Sequence, residues 1–209
     1  MVHRARQLKI DILGLTDHNT ARNLPVFAQC CRNSGIYPML GLEITTREEV
    51  HVTCFFPDLE AALAFGEYIE SILPDIPNVP ELLGDQVYVD AQERILGSVE
   101  KALSTAASCS FEELLAEVHS RGGIFIPAHI DRGAFSATSQ LGFLPDLPYD
   151  AVEVMRIPCA HETWDRTLIT NSDAHYLGCM GSRSWKADLR GLSFPAIMQA
   201  LRDGNAIVS

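Results

Sequence analysis

Acidic and imidazole side chains follow several apolar segments of this sequence, in positions where metal ligands could stand. The four stretches are Thr16-Asp17-His18-Asn19, Glu43 followed by His51, Ala128-His129, and Ser172-Asp173-Ala174-His175. The preceding segments read as strands, so loops above a sheet would carry these side chains together. The pattern predicts a hydrolytic metal centre.

Most of these residues also have a structural explanation when considered alone. Asp17 could cap the following helix, His51 could be a hydrogen-bonded surface histidine, and His129 could be a neutral core histidine. Glu43 is harder to explain in this way. An unpaired carboxylate at the end of an apolar strand is costly to bury, and a metal ion would neutralise it.

The Ser-Asp-Ala-His stretch is the strongest single motif. Asp173 and His175 stand two residues apart, so on an extended segment both side chains would point to one side, as two ligands of one cluster would. The remaining histidines receive no role: His119 is expected to be solvent-exposed on a helix, and His3 and His161 lie in a terminal and an ambiguous segment.

Strand and helix patterns alternate along the chain. We expect strands over 10–15, 36–42, 50–56, 86–89, 124–128, 151–155, 167–170 and 206–208, and helices over 21–34, 59–73, 92–107, 111–121 and 194–202. Repeated strand-then-helix units with runs apolar on both faces predict a largely parallel sheet covered by helices. Polar residues at the strands' carboxyl ends favour a closed or nearly closed barrel.

Composition sets the broad class. The 209 residues are 47% apolar and 21% charged, which fits a single folded domain over 1–209. The formal charge of -11 makes long nucleic acid an unlikely partner, because phosphate binding normally needs a Lys/Arg surplus. Six scattered cysteines without a CxxC pair, no signal peptide and no membrane-length apolar run predict a cytoplasmic protein without a membrane anchor.

The motifs resemble those of the PHP family, the polymerase and histidinol phosphatase superfamily of metal-dependent phosphoesterases. The similar stretches are Leu-Thr-Asp-His-Asn at 15–19, Gly-Leu-Glu at 41–43 with Glu-Val-His-Val at 49–52, Pro-Ala-His at 127–129 and Ser-Asp-Ala-His at 172–175, in the family's order. The resemblance implies a distorted (βα)7, TIM-like barrel and a cluster of up to three metals, usually zinc, manganese or iron.

The resemblance also implies a role for each residue of the pattern. Glu43 would bridge two metals, His51 and His129 would complete one site, Asp173 would contribute to another, His18 with His175 would serve the third, and Asp17 would be a close supporting residue.

One departure from the family's pattern concerns its first motif, a His-x-His on the first barrel strand, which should stand upstream of Asp17. Residues 2–9 read as the helix after that strand, so the barrel is expected to begin at its second strand, either by truncation or by loss. His3 is the only nearby imidazole, and a role for it as a replacement ligand is not favoured. Only the site made by Glu43, His51 and His129 would then be complete, and the others would hold metal weakly.

The sequence therefore predicts hydrolysis of a small phosphorylated metabolite or nucleotide through a metal-bound hydroxide. Asp17 and Asp173 are the candidate catalytic carboxylates, and Asp173 could accept a proton from the attacking water. Arg132 is the candidate phosphate-binding residue and Arg183 a second candidate; an exposed arginine explains Arg132 equally well and Arg183 better. The alternatives are a non-catalytic metal-binding or regulatory module and a metal-dependent amidohydrolase. Exposed strand edges make a homo-oligomer compatible with the pattern.

Overall fold

Helices and strands alternate over most of residues 1–208, the part of the chain that the computed structural model describes. The helices are α1 (Val2–Gln7), α2 (Leu24–Asn33), α3 (Leu59–Ile72), α4 (Pro80–Leu83), α5 (Phe111–Ser120), α6 (Ala137–Gln140) and α7 (Phe194–Arg202), with a 3-10 turn at Leu177–Cys179. The strands are β1 (Ile12–His18), β2 (Tyr37–Thr45), β3 (His51–Phe56), β4 (Val87–Val89), β5 (Ile95–Ser98), β6 (Ile124–Pro127), β7 (Val152–Glu153), β8 (Leu168–Ile169), β9 (Trp185–Ala187) and β10 (Ala206–Val208). The fold is mixed α/β.

The main sheet has four strands in the order β1-β2-β3-β6. β1 and β2 pair in parallel, as predicted, but β3 runs antiparallel to both β2 and β6, so the expectation of a largely parallel sheet was wrong for this strand. Only residues 46–50 separate β2 from β3, whereas a parallel return needs a crossover of a dozen or more residues. The link is a tight turn in which Thr46 N donates to Val50 O at 2.9 Å.

Backbone hydrogen bonds continue the strand layer beyond β6. Asp150 N donates to Phe125 O at 3.2 Å and Ile130 N donates to Glu153 O at 2.9 Å, which places β7 beside β6. β7 pairs in parallel with β8, and β9 pairs antiparallel with β10. These ladders do not close into one continuous barrel within residues 1–208.

Apolar side chains cover both faces of the main sheet. Alternate residues of a strand point to opposite faces, so Leu40 and Leu42 pack on the side of α2, α3 and α5, whereas Met39 packs on the side of α7. On β6, Phe125 packs on the side of α2, α3 and α5, whereas Ile124 and Ile126 pack on the side of α7. The α7 side contains the buried residues Met39, Ile124, Ile126, Ala151, Ile169, Phe194, Ile197 and Leu201.

Two helix starts carry the side-chain caps that their sequences suggest. Ser110 and Glu113 form a capping box before α5: the Ser110 hydroxyl accepts from Glu113 N at 3.2 Å, and Ser110 N donates to the Glu113 carboxylate at 2.7 Å. Asp58 caps α3 by accepting from Ala61 N at 2.9 Å. These bonds satisfy backbone donors that a helix leaves unpaired, which explains why both helices were predictable.

The helix predicted over 92–107 was wrong, because this stretch contains β5 and irregular chain. Asp90 ends β4 with a turn in which its carboxylate accepts from Gln92 N at 2.9 Å and Arg94 N at 3.0 Å. Such side-chain bonds compete with helix formation. Gly97 lies beneath the Tyr88 ring, at a spacing that leaves no room for a Cβ.

All six cysteines are free thiols, and Cys31, Cys54 and Cys109 are buried. His3 is exposed and contacts Gln7. Within residues 1–208, no helix combines the length and apolar character needed to cross a bilayer.

A buried carboxylate joins three elements of the fold. Asp150, whose side chain is 1% exposed, accepts from Phe125 N at 2.7 Å and Arg202 Nε at 2.6 Å, and lies 3.0 Å from His119 Nε2. Burial by itself would raise the pKa of Asp150, but the bonds from His119, Phe125 and Arg202 outweigh it and lower that pKa. His119 is therefore a paired, largely covered residue, and its expected simple exposure was wrong.

Replacing Asp150 with Ala should lower the free energy of unfolding by about 2–3 kcal/mol, because a buried amide, the Arg202 guanidinium and the His119 ring lose their partner. Urea titration followed by circular dichroism measures the change. Asp146→Ala is the matched control, since Asp146 is 60% exposed and lies 3.5 Å from Arg166; it should cost less than about 0.5 kcal/mol. Equal losses in the two variants would contradict the anchoring role.

The contribution of Asp150 should also depend on pH. Because its pKa is lowered in the folded state, its stabilisation is fully present above the unfolded carboxyl pKa of about 3.9 and is lost as the pH falls through the lower folded value. Unfolding free energies of the wild type and Asp150→Asn, measured from pH 7 to pH 3, should converge at the acid end. A difference that is constant over this range would contradict the prediction.

Candidate metal centre

Strand register places the first candidate ligands on one face of the main sheet. His18 on β1 pairs with Glu43 on β2, and Thr45 on β2 pairs with His51 on β3. Paired residues present their side chains on the same face, and Glu43 and Thr45 are two apart, so all of them share that face. His129 follows β6, the next strand in the sheet.

Glu43 is the centre of this cluster. Its Oε1 lies 3.1 Å from His51 Nδ1 and 3.3 Å from His129 Nε2, and its Oε2 lies 3.7 Å from His18 Nε2. The ligand atoms of His18, Glu43 and His51 all lie within 4.8 Å of one another. The structure thus brings four of the predicted ligands together.

The contacts suit a shared cation better than hydrogen bonding. His51 Nδ1 and both ring nitrogens of His129 are buried without a hydrogen-bond partner, although two of these atoms lie close to Glu43. Buried polar atoms are normally satisfied. Two ligand atoms bonded to one tetrahedral zinc ion at about 2.1 Å stand roughly 3.4 Å apart, a little more than the 3.1 and 3.3 Å that separate Oε1 of Glu43 from the His51 and His129 nitrogens. Imidazole and carboxylate donors fit zinc, manganese or iron.

The charge states within the cluster follow from burial and from Glu43. Burial alone would raise the pKa of Glu43, but the neighbouring His129 and His51 lower it well below its usual range. Burial lowers the pKa of His18, which favours its neutral, ligating form. Burial would also lower the pKa of His129, yet the Glu43 carboxylate raises it. The Glu43 carboxylate thus favours a positive charge beside it, which is the electrostatic role that a bound metal ion would fill.

Asp173 and His175 lie beside this cluster rather than against Glu43. Asp173 Oδ2 accepts from Arg132 Nη1 at 3.2 Å, and His175 Nδ1 lies 3.7 Å from Asp173 Oδ1. The His175 side chain is 61% exposed, and its ring centroid lies 6.2 Å from that of His18. The predicted phosphate-binding arginine and the strongest sequence motif therefore meet at the rim of the site.

Asp17 does not join the cluster, because it lies one residue before His18 and its side chain points to the other face of β1. Its carboxylate accepts from Asn23 Nδ2 at 3.0 Å, and burial raises its pKa. The following residue of the motif, Asn19, is fully buried and donates to Leu103 O and Thr105 O at 2.9 Å each. Both residues support the chain around the site.

Glu153 is a site residue that the sequence analysis missed. It lies on β7 with 4% exposure, accepts from Asn171 Nδ2 at 3.1 Å, and its pKa is raised to about 7 by burial. Glu43, His129 and Asp173 are its titratable neighbours. The signal that could have revealed it was the one used for Glu43, a carboxylate within an apolar strand. Arg183, the second candidate arginine, donates instead to Asn171 O at 2.8 Å.

The loops after the strands hold two site residues in unfavourable backbone conformations. His129 has φ 31° and Asp173 has φ 46°, in the left-handed region that non-glycine residues seldom adopt. Such conformations cost of the order of 1–3 kcal/mol each and persist where the surroundings over-determine them, as at functional sites. These conformations place the His129 side chain against Glu43 and the Asp173 side chain at the rim, beside Arg132.

Comparisons with known proteins identify a family and similar folds. A family model described as PHP domain matches residues 1–131, and a comparison with curated proteins gave no match. Among solved structures, the chain is similar to the lesion-specific endonuclease Q from Pyrococcus furiosus, with 15% identity, a TM-score of 0.65, and coverage of 99% of this chain and 51% of that one.

A second similar structure is an endonuclease Q in complex with a 27-mer duplex substrate carrying an abasic lesion at the active site. The identity is 14%, the TM-score is 0.66, and coverage is 99% of this chain and 52% of that one. At these identities the likeness concerns the fold. The chain spans about half the length of both structures.

Replacing His129 with Ala should lower the affinity for Zn²⁺ or Mn²⁺ by at least about tenfold, because removing one ligand leaves Glu43 and two imidazoles. Isothermal titration calorimetry of protein stripped with a chelator gives the affinity, and elemental analysis gives the bound metal. His161→Ala removes an exposed histidine and is the matched control. Wild-type affinity in His129→Ala would contradict the ligand assignment.

Proposed function

Because the chain belongs to the PHP-domain family, we propose that it is a metal-dependent phosphoesterase whose cluster of Glu43 with His18, His51 and His129 holds a divalent cation. Zinc and manganese are the leading candidates, with iron as a third. The observation that supports this proposal most directly is the set of buried imidazole nitrogens that surround one carboxylate without hydrogen-bond partners. Asp173 and His175 are proposed to complete a further site at the rim.

A bound divalent cation would lower the pKa of a water molecule and offset the charge of a phosphate group. The chain's own residues supply the remaining functions. The Arg132 side chain is 40% exposed, so its guanidinium can donate to phosphate oxygens while it remains near Asp173. The Asp173 carboxylate, 25% exposed, is accessible to accept a proton from an attacking water.

We favour a small phosphorylated metabolite or nucleotide as the substrate. The net charge of -11 opposes the phosphate backbone of long nucleic acid. The similar endonuclease Q structures make a DNA phosphodiester the second candidate. Monoesters and diesters therefore both belong in the assay.

The strand layer is proposed to form the wall of a distorted (βα)7 barrel, with the cluster at the carboxyl ends of β1, β2 and β6. β3 is the exception, since it runs antiparallel and contributes His51 from its first residue. Cytoplasmic location and assembly into a homo-oligomer remain predictions from the sequence.

Hydrolysis of 4-nitrophenyl phosphate and bis(4-nitrophenyl) phosphate with added Mn²⁺ tests the proposal. Glu43→Gln keeps the side-chain volume but removes the central charge, and should reduce kcat/KM by at least about 100-fold together with the bound metal. Arg132→Ala should reduce kcat/KM by about tenfold or more, because it removes a phosphate contact. The metal at Glu43 should stay bound, since Arg132 contacts Asp173 and not Glu43. Arg190→Ala, at an exposed position outside the site, is the control.

Two results would count against this function. Equal activity in Glu43→Gln and the wild type would show that the hydrolysis arises elsewhere. A fully loaded wild-type protein that cleaves neither ester would favour the non-catalytic metal-binding or regulatory module instead.

A further inference from the structure

An aromatic side chain stands directly against one of the candidate ligands. The ring of Phe135 stacks on the ring of His51, with centroids 4.8 Å apart and planes inclined by 16°. Phe135 is 40% exposed, whereas the side chain of His51 is 11% exposed. One side of the phenyl ring therefore covers the imidazole, and a substantial part of the residue faces solvent at the mouth of the cluster.

The backbone holds Phe135 in this position at a conformational cost. Its φ is 56°, a left-handed value that bulky side chains rarely adopt. Its carbonyl accepts from His51 N at 2.9 Å, and the neighbouring Ser136, fully buried, donates from its hydroxyl to Arg132 O at 2.7 Å. Thr138 donates to Ile130 O and closes the same loop. The ring is thus fixed before any substrate binds.

The same loop carries the candidate phosphate-binding residue. Arg132 lies three residues before Phe135 and reaches Asp173, so a cationic group and a flat apolar surface stand on one short segment beside the cluster. A phosphate held by Arg132 would place the adjoining part of its substrate near Phe135. Aromatic rings offer planar groups a stacking surface at little entropic cost, because few torsions need to be fixed.

We propose that Phe135 is a specificity-determining residue that stacks on a nucleobase, so that the substrates of this site are nucleotides rather than aliphatic phosphate esters. This inference rests on the proposed phosphoesterase function and narrows its substrate class. The recognised chemistry is a planar base close to a phosphate, which either a free mononucleotide or the end of a single strand could present.

The test measures binding, so that it does not depend on turnover. The probes are the phosphonate analogues of adenosine 5′-monophosphate and ribose 5-phosphate, in which CH₂ replaces the bridging ester oxygen and prevents hydrolysis. Isothermal titration calorimetry with Mn²⁺-loaded protein should show the adenosine analogue binding at least about tenfold more tightly than the ribose analogue, as expected for a base stacked on an aromatic ring. Phe135→Ala should bring this ratio close to one, and Phe135→Tyr should retain it.

Phe143→Ala is the matched control, because Phe143 is an exposed phenylalanine, 61% accessible, on the following part of the chain; the ratio should stay at its wild-type value. Metal content is measured for every variant, since loss of the stacked ring could loosen His51. If Phe135→Ala loses metal, Phe135→Leu and Phe135→Tyr decide: the ratio should fall in the leucine variant and persist in the tyrosine variant. A wild-type ratio of the two affinities in both the leucine and the tyrosine variant would overturn the proposal.

The outcomes separate this inference from the phosphoesterase proposal. A wild-type protein that binds the two analogues equally overturns the role of Phe135, even if it hydrolyses 4-nitrophenyl phosphate. A base-dependent gain that Phe135→Ala abolishes supports the role, even if no ester is cleaved. A short single-stranded oligothymidylate, compared with the thymidine mononucleotide, then identifies which source of the base binds more tightly.

Discussion

The structure depends on one constraint, a buried carboxylate at the end of an apolar strand. Glu43 is 7% exposed, and an isolated charge in that position would be strongly destabilising. The fold meets the constraint by bringing imidazoles from three other elements to its two oxygens. His18 lies on β1 and His51 on β3, the two strands that pair with β2, and His129 follows β6, the next strand of the same sheet. The main sheet is therefore organised to supply counter-charge and ligands at one point.

Strand direction is an essential part of this arrangement. β1 delivers His18 from its last residue, while the antiparallel β3 delivers His51 from its first, so both side chains reach the same edge of the sheet. The short turn between β2 and β3 enforces that reversal. A parallel β3 would have carried His51 to the opposite end, far from Glu43. The exception to the parallel pattern is thus what completes the cluster.

The residues around the cluster are of two kinds: buried ones that hold the backbone in place, and partly exposed ones that a substrate could contact. Asn19 and Asp17 bind chain segments on the covered side, while Arg132, Phe135 and Asp173 lie on the rim and remain partly exposed. Left-handed backbone occurs at His129 within the cluster and at Phe135 and Asp173 on its rim. The left-handed backbone therefore occurs where a metal or substrate would bind. The hydrogen bonds of Asp17 and Asn19 lie on the covered side. Asp150 joins the last turn of α5, the second residue of β6 and the last residue of α7, through His119, Phe125 and Arg202.

The amino-acid sequence by itself predicted the candidate ligands and most of the elements that carry them. Apolar runs, helix caps, Glu43 near the end of one strand and His129 after another are local signals, and local signals can be read in order along a chain. The tertiary structure decided the reversal of β3, the hairpin in place of a helix after Asp90, the role of Glu153 and the contact between Phe135 and His51. Each of these depends on which distant segments pair and which face each side chain then takes, and that information arises only when the chain packs.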